Sequence, residues 1–259
     1  MGENHWTSAI SEIGPNVIRL RGYPVEELMG NVGFAESIYL ALKGELPDAA
    51  TGKLLNAIFV SSIDHGTTPP SVLTTLTVAS TGAPLGSAVA AGILAISKFH
   101  GGAIEDCMKT LEHGIEHARH KNSPFVDSAQ TIVDAFQAKG TRISGFGHRL
   151  HTKDPRTTRL LAMCDELGKS GDGVKMARSF EEVFAKAGKP LPLNVDGAIA
   201  AVLVDLGIAP GMANAFFMIA RLPGLVAHAH EEKTRYKPMR VVDPKDSSYD
   251  GPPLRHLKE

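Results

Sequence analysis

Four short segments of the chain carry a histidine or a carboxylate beside glycine or proline: "IDHGTTPPS", "FHGGAIE", "GFGHRLHTKDPR" and "LNVDG". They place His65, His100, His148 and Asp196 at the boundaries of predicted helices, where loops are held by a rigid scaffold. A carboxylate and imidazoles together supply the base and the acid that proton transfer at a reacting carbon centre requires. The four segments therefore predict one site for acid/base chemistry.

Three arginines, Arg149, Arg156 and Arg221, accompany these segments. A guanidinium group binds a carboxylate through two parallel hydrogen bonds, so arginines suit a substrate that carries carboxylates. Each feature taken singly has a structural alternative. An arginine can form a surface ion pair of little energetic value, a boundary histidine can be a cap or a core residue, and Asp196 can simply complement a helix dipole. Their coexistence in one helical chain favours a site.

Other polar clusters are weaker candidates. The helix segment "EHGIEHARH" places His113, His117 and His120 on one face, but no HExxH pattern or extra carboxylate completes a metal site, so we expect a solvated face and no metal. His228 and His230 lie near acidic residues, and we expect a helix end whose charges are solvated or paired with a neighbouring chain. Neither a GxSxG elbow nor a phosphate-binding loop occurs.

Composition excludes several classes of protein. The 259 residues are 43% apolar, and 27 basic residues balance 28 acidic ones, so no overall field attracts nucleic acid or an anionic membrane. Cys107 and Cys164 lack the spacing of a disulfide framework or a thiolate metal site, which favours a reducing cytoplasm. The uncharged stretch 66–97 is too rich in proline and polar residues for a membrane span, and the N-terminal residues do not resemble an export signal.

Apolar residues recur at intervals of three and four, which predicts helices. The predicted helices cover residues 26–44, 48–63, 103–120, 123–140, 157–170, 172–188 and 194–208. Only residues 16–23 alternate, as a short edge strand would. The segment 84–103 is apolar almost all round, so we expect it in the middle of the packing or across a subunit interface. The chain is predicted to be all-α, one domain over 1–259, in which 145–225 can form a smaller helical subdomain.

The polar segments, in this order, resemble the citrate synthase superfamily. "IRLRGYPVEELMGNVGFAESIYLALKGELP" is similar to its N-terminal signature, and "IARLPGLVAHAHEE" follows the four segments above, so that the likeness runs from residue 18 to 232. Pro47 lies only 17 positions before Asp64, where ordinary citrate synthases carry a long additional segment. That shortening is similar to citryl-CoA lyases, both stand-alone and as a module of ATP-citrate lyase.

The resemblance implies a shortened citrate synthase-like helical fold and a two-fold homodimer, with higher homo-oligomers open. It implies cleavage of (3S)-citryl-CoA, or of a related 3-hydroxy-3-carboxyacyl-CoA, to acetyl-CoA and oxaloacetate, with coenzyme A as a substrate and no other cofactor. One alternative is a short citrate or methylcitrate synthase, an acyltransferase. Another is a non-catalytic CoA-binding subunit, against which the intact His100, His148 and Asp196 argue.

The resemblance also implies residue roles. His100 resembles the histidine that hydrogen-bonds the thioester carbonyl, His148 the one at the oxaloacetate ketone, and Asp196 the base that moves the α-proton. Because the ATP-citrate lyase module replaces the histidine of "HGGA", the relative weight of His65 and His100 stays open. The groups expected to bind substrate carboxylates are His65, Arg149, Arg156, Arg221 and, from the partner subunit, Arg240 or Lys237. The groups expected to bind CoA are Gly145, Phe146, Gly147 and Lys153.

Overall fold

Three short antiparallel strands open the fold. The computed structural model describes residues 6–147, 154–188, 190–240, 244–246 and 248–256. The strands β1 (Ser11–Gly14), β2 (Val17–Leu20) and β3 (Tyr23–Pro24) pair in chain order, with Ile13 opposite Ile18. The predicted strand over 16–23 corresponds to β2 and β3. Strand β1 was missed, because four residues are too few to show a period.

Eleven helices follow in the described residues, and the prediction of a mostly helical fold is confirmed. They are α1 (Val25–Leu28), α2 (Phe34–Lys43), α3 (Ala49–Ser61), α4 (Pro70–Ser80), α5 (Leu85–Leu94), α6 (Ala103–Lys121), α7 (Phe125–Ala138), α8 (Pro155–Glu166), α9 (Asp172–Lys186), α10 (Val195–Asp205) and α11 (Ala213–Arg235). Short 3₁₀ turns cover Pro210–Met212 and Pro244–Asp246. Within the described chain, no helix combines the length and apolar character that crossing a membrane requires.

The single helix predicted over 26–44 is wrong, because the chain forms α1 and α2 with a turn between them. Two glycines lie in the connecting "GNVG", and glycine is a poor helix former. The second helix restarts at Gly33, whose backbone N–H donates to the Glu36 carboxylate (2.7 Å). This local cap satisfies a donor that the first turn leaves without an intrahelical partner.

The main core surrounds α10, which packs against α6 and α9. Every residue from Gly197 to Leu203 is buried, so this helix is covered on all sides apart from its ends. The predicted helix over 194–208 is confirmed. Because the helix is fixed so firmly, the side chains of its first turn have a defined position.

A second, smaller core joins α4, α5 and α11. The prediction that 84–103 lies in the middle of the packing is wrong within one chain. Helix α5 ends at Leu94. It buries only one face, which carries Ala88, Val89 and Gly92. Leu85 and Leu94 are 44% and 83% exposed, so these apolar side chains of the other face are not buried inside the protomer.

Helix α11 was predicted only as a helix end. Its 23 residues contain Pro223, and proline inside a pattern normally indicates that a helix stops. Buried residues on both sides of Pro223, including Phe217, Arg221, Leu225 and Ala229, hold the helix against its neighbours. Tertiary packing therefore outweighs the local preference.

Candidate active site

Asp196 lies in the first turn of α10, directly after the Asn194 cap. The Asn194 side chain accepts from the Gly197 N–H (3.0 Å) and donates to the Gly147 carbonyl (2.9 Å), while its backbone N–H donates to the Gly145 carbonyl (3.0 Å). The two glycines 145 and 197 touch: a Cβ built on Gly197 would lie 2.2 Å from the Gly145 carbonyl oxygen. The loop over 145–147 is thus clamped to the helix turn that carries Asp196.

The surroundings of Asp196 make its carboxylate more basic. The side chain is only partly exposed and sits deep among buried residues. Burial raises the pKa of Asp196 above its ordinary value, and the charges of Arg156 and Arg221 oppose that rise without cancelling it. A carboxylate with a raised pKa is suited to taking a proton from a weak carbon acid or returning it.

Arg221 comes from α11 and is only 3% exposed. Its Nε donates to the Ser62 carbonyl (2.9 Å), and its guanidinium lies 5.0 Å from the centre of the Phe217 ring. Among the described residues none accepts a hydrogen bond from Nη1 of Arg221. A buried, unpartnered guanidinium donor is unfavourable unless a ligand satisfies it, and a carboxylate has the matching geometry.

His100 follows α5 in a tight backbone turn, where it exchanges two hydrogen bonds with Ser97 (both 2.9 Å). Its Nε2 lies 2.8 Å from the Ser71 hydroxyl, and its ring meets Phe217 edge-on at 5.7 Å. Burial lowers the pKa of His100, and the nearby charge of Arg221 lowers it further. A lowered pKa favours the uncharged imidazole, which suits a hydrogen-bond donor to a developing enolate.

Arg156 lies at the beginning of α8 and pairs with the buried Asp154. Its Nε and Nη2 donate to the two carboxylate oxygens of Asp154 (3.1 and 2.8 Å), and Nη1 reaches the Ser61 carbonyl (3.3 Å). This pair is not an exposed surface ion pair, which was the structural alternative for the arginine, because Asp154 is only 3% exposed. Since Arg156 and Arg221 both act on the charge of Asp196, the structure brings these three predicted residues together.

His65 follows the C-terminal end of α3 and is exposed. Its neighbour Asp64 accepts from His228 Nε2 (2.9 Å) and from the Gly66 N–H (2.9 Å). Sequence reasoning missed this role of Asp64, and it expected His228 to be solvated or paired across chains. The sequence spacing could have indicated that Arg221 and His228 face the same neighbour. The two residues are seven positions apart and so occupy one face of a helix.

The loop residues predicted to bind CoA have packing roles in the structure. Gly145 is buried, with φ of +88°, and a Cβ there would lie 2.5 Å from the sulfur of Cys107. The Phe146 ring packs on Phe180 and Phe184, at 5.6 and 5.3 Å. Gly147 donates to a backbone carbonyl of the segment before α10. A contact of these residues with CoA stays a prediction.

Three predicted residues, His148, Arg149 and Lys153, lie outside the described residues. Arg240 is described, but it is not near the other site residues within one chain. It pairs with the buried Glu232, and the backbone of Met239 bonds to Ser80, at the end of α4 remote from Ser71. The nine residue steps from Ser71 to Ser80 along the helix rise about 14 Å. A role for Arg240 or Lys237 from a partner subunit stays a prediction.

Two of the three histidines on α6 lie on a solvated face, and the third is half-buried. His113 and His120 are exposed, while His117 bonds through Nδ1 to the Ser128 hydroxyl (3.0 Å). Within the residues that the structure describes, His, Cys, Asp and Glu side chains form no group of three or more that could hold a metal ion.

Comparison with known proteins identifies relatives over most of the chain. The family described as "Citrate synthase, C-terminal domain" matches residues 47–242. A citrate synthase of Haloferax volcanii is 29% identical over 236 residues, and citrate synthase 2 of Bacillus subtilis is 30% identical over 237. These alignments cover 89% and 90% of this chain, but the chain spans only 59% and 60% of those two proteins.

Solved structures give a more complete match. A citryl-CoA lyase from Hydrogenobacter thermophilus is 40% identical, with a TM-score of 0.90, and the alignment covers 98% of this chain and 97% of that one. An ATP citrate lyase variant of Methanosaeta concilii, in complex with (3S)-citryl-CoA, has a TM-score of 0.81 at 20% identity, over 97% of this chain and 42% of that one. The second likeness concerns the fold alone.

Proposed function

The chain belongs to the citrate synthase family, and on that basis we propose that it cleaves (3S)-citryl-CoA, or a related 3-hydroxy-3-carboxyacyl-CoA, reversibly to acetyl-CoA and oxaloacetate. The observation that carries the proposal is the grouping of Asp196, His100 and Arg221 in the described structure. The near-complete overlap with a protein named as a citryl-CoA lyase supports this reaction over others of the family.

Cleavage breaks the bond between the thioester α-carbon and the carbinol carbon. The hydroxyl proton leaves, its oxygen becomes the ketone of oxaloacetate, and the bonding electron pair moves onto the thioester as an enolate. A neutral His100 would donate a hydrogen bond to that enolate oxygen, and protonated Asp196 would return a proton to the α-carbon. Each proton transfer contributes about a hundred- to ten-thousandfold to the rate. Acceptance of the hydroxyl proton is assigned to His148 by resemblance.

The carboxylates of the oxaloacetate portion need cationic partners. Arg221 offers a buried donor without a described partner, and Arg156 offers a guanidinium already oriented by Asp154. We assign both arginines to carboxylate binding, together with His65 in the loop between α3 and α4. Arg149 retains the same predicted role by resemblance.

We also propose a homodimer. Apolar side chains of α4, α5 and α11 stay exposed in the protomer, among them Leu73, Leu94, Leu222 and Val226. Exposed apolar side chains on helices that pack together are typical of protein interfaces. A dimer would give Arg240 or Lys237 a route to the site of the other chain. The buried free thiols Cys107 and Cys164 agree with a reducing compartment such as the cytoplasm.

A citrate synthase is the second candidate, because two curated relatives carry that name. It would condense an acyl-CoA with oxaloacetate and also hydrolyse the thioester. Product analysis separates the two reactions. With purified protein and citryl-CoA, a lyase yields acetyl-CoA and oxaloacetate, whereas free CoA released from acetyl-CoA plus oxaloacetate indicates a synthase. A protein that produces neither would be a non-catalytic CoA-binding subunit.

A further inference from the structure

The loop between α3 and α4 is fastened to α11 at successive residues. Arg221 Nε donates to the Ser62 carbonyl (2.9 Å). One turn later, Gly224 meets the next carbonyl, that of Ile63, so closely that a Cβ on Gly224 would lie 2.2 Å from its oxygen. Only a residue without a side chain fits there, and this glycine sets the distance between loop and helix.

The third attachment is a hydrogen bond between two side chains. His228, one further turn along α11, places Nε2 at 2.9 Å from Asp64 Oδ1, and the other carboxylate oxygen of Asp64 accepts from the Gly66 N–H (2.9 Å). Because a carboxylate only accepts hydrogen bonds, Nε2 of His228 carries the proton. The side chain of His228 is 13% exposed and that of Asp64 is 38% exposed, so the histidine side of this contact is shielded from water.

The three attachments share one stripe of α11, since positions 221, 224 and 228 are spaced by three and four residues. His65 lies between Asp64 and Gly66, the two residues joined by the carboxylate turn. Asp64 also acts electrostatically on Arg221. Burial lowers the pKa of Arg221, and the negative charge of Asp64 opposes that shift. His228 contacts Asp64, which adjoins His65 and acts on Arg221. This one side chain of α11 therefore influences two groups that are assigned to substrate carboxylates.

We propose that His228 is a positioning residue, which acts through Asp64 to hold His65 and Arg221 in place for the carboxylates of the oxaloacetate portion. This inference rests on the proposed function. It assigns to His228 a role in substrate binding without any contact with the substrate. A residue with that role should change KM for the substrate more than kcat, whereas a residue needed only for folding should lower the active fraction and the melting temperature.

The test compares two side chains of similar size at position 228. His228→Met fills the space but cannot donate, while His228→Gln keeps an N–H at similar reach. For His228→Met we expect KM for citryl-CoA to rise about tenfold with kcat within about twofold of the parent, and for His228→Gln we expect most of the affinity to return. His230→Ala, an exposed position on the same helix, is the matched control and should leave both constants unchanged.

A double-mutant cycle with Asp64→Ala, which removes the acceptor, adds a second readout. If the two side chains act as a pair, His228→Met should add little to the KM of Asp64→Ala. An unchanged KM for His228→Met, or equal impairment of the Met and Gln variants, would overturn the proposal.

If the proposed function is wrong, the parent itself will lack turnover. That outcome is distinguishable from a failure of the positioning role of His228, in which the parent is active. Hydrogen exchange of the peptide covering 62–66 decides the pairing when the parent lacks turnover. Faster exchange in His228→Met, reversed in His228→Gln, is expected, and identical exchange in all three proteins would overturn the pairing. If His228→Met proves insoluble, Asp64→Ala against the parent breaks the same contact from the other side.

Discussion

Asp196 and His100 have pKa values shifted in opposite directions by one physical cause. Burial disfavours the charged form of either group, so it raises the pKa of the carboxyl and lowers the pKa of the imidazole. A raised pKa makes the Asp196 carboxylate a stronger base, and a lowered pKa favours the uncharged imidazole of His100, and both suit enolate chemistry. The positive charges of Arg156 and Arg221 oppose part of the rise in the pKa of Asp196.

Arg221 should be sensitive to a change that keeps its charge. In Arg221→Lys the fork is replaced by a single ammonium group, which cannot bind a carboxylate bidentately and still reach the Ser62 carbonyl. We expect KM for the substrate to rise about tenfold or more, with a smaller effect on kcat. Steady-state kinetics on a variant whose melting temperature is near that of the parent would check this. An unaltered KM would argue against the carboxylate role.

At the scale of elements, most helices follow from the apolar periodicity, and their predicted bounds agree within a few residues for α3, α6, α7, α9 and α10. The sequence also predicted Asp196, His100, Arg156 and Arg221 as site residues. In the structure the charges of both arginines act on Asp196, and that of Arg221 acts on His100, while their roles in a site stay predictions. Periodicity did not predict the break between α1 and α2, which depends on a Glu36 cap, or the continuity of α11 through Pro223. The break depends on a short-range cap that apolar periodicity does not reveal, and the continuity of α11 depends on tertiary packing.

The pairing of Asp64 with His228 was missed for a related reason. The two residues are 164 positions apart, and a hydrogen bond between remote positions leaves no periodic trace in one sequence. The subdomain over 145–225 stays a prediction. Roles for His148, Arg149 and Lys153 also stay predictions, since they lie outside the described residues.

Helix α3 offers a test of element stability. Asp48 caps it by accepting from the Thr51 N–H (2.8 Å) and pairs with Lys169 (2.6 Å). We expect Asp48→Ala to lower the free energy of unfolding by about 1 kcal/mol. Asp48→Asn, which can still cap, should lose less. Denaturant titration with both variants measures this, and equal stability of the parent and Asp48→Ala would contradict it.

The pH dependence of that contribution has a defined sign. The hydrogen bond from Lys169, with that from Thr51, lowers the pKa of Asp48 to about 2. The carboxylate therefore stabilises the folded state above its unfolded pKa of about 4, and the contribution is lost as pH falls from there towards 2. The stability difference between the parent and Asp48→Asn should be constant near neutrality and shrink in that acidic range.

For the whole molecule, the balance of charge gives no preference for a polyanion, and the exposed apolar surface favours a protein partner. No net field selects a polyanion, whereas α4, α5 and α11 leave apolar side chains exposed beside the turn that carries His100. Phe99, next to His100, is 95% exposed. A second copy of the chain would cover this surface and enclose the site, as the proposed dimer requires.

Sedimentation measures that dimer directly. The parent should sediment at twice the chain mass, and Leu94→Glu should shift it towards the monomer, because a charge would be buried in an apolar interface. Met29→Glu, another exposed apolar position, serves as the control and should leave the mass unchanged. A monomeric parent, or a dimer indifferent to Leu94→Glu, would contradict the proposed interface.

The central claim, that Asp196 moves the α-proton in a citryl-CoA cleavage site, is tested most directly by oxaloacetate formation from citryl-CoA in the parent and in Asp196→Asn. We expect the parent to release oxaloacetate and acetyl-CoA, and the variant to lose at least about a hundredfold in rate with an almost unchanged melting temperature. Asp134→Asn, an exposed carboxylate on α7, should retain full activity. An Asp196→Asn protein as active as the parent would contradict the account.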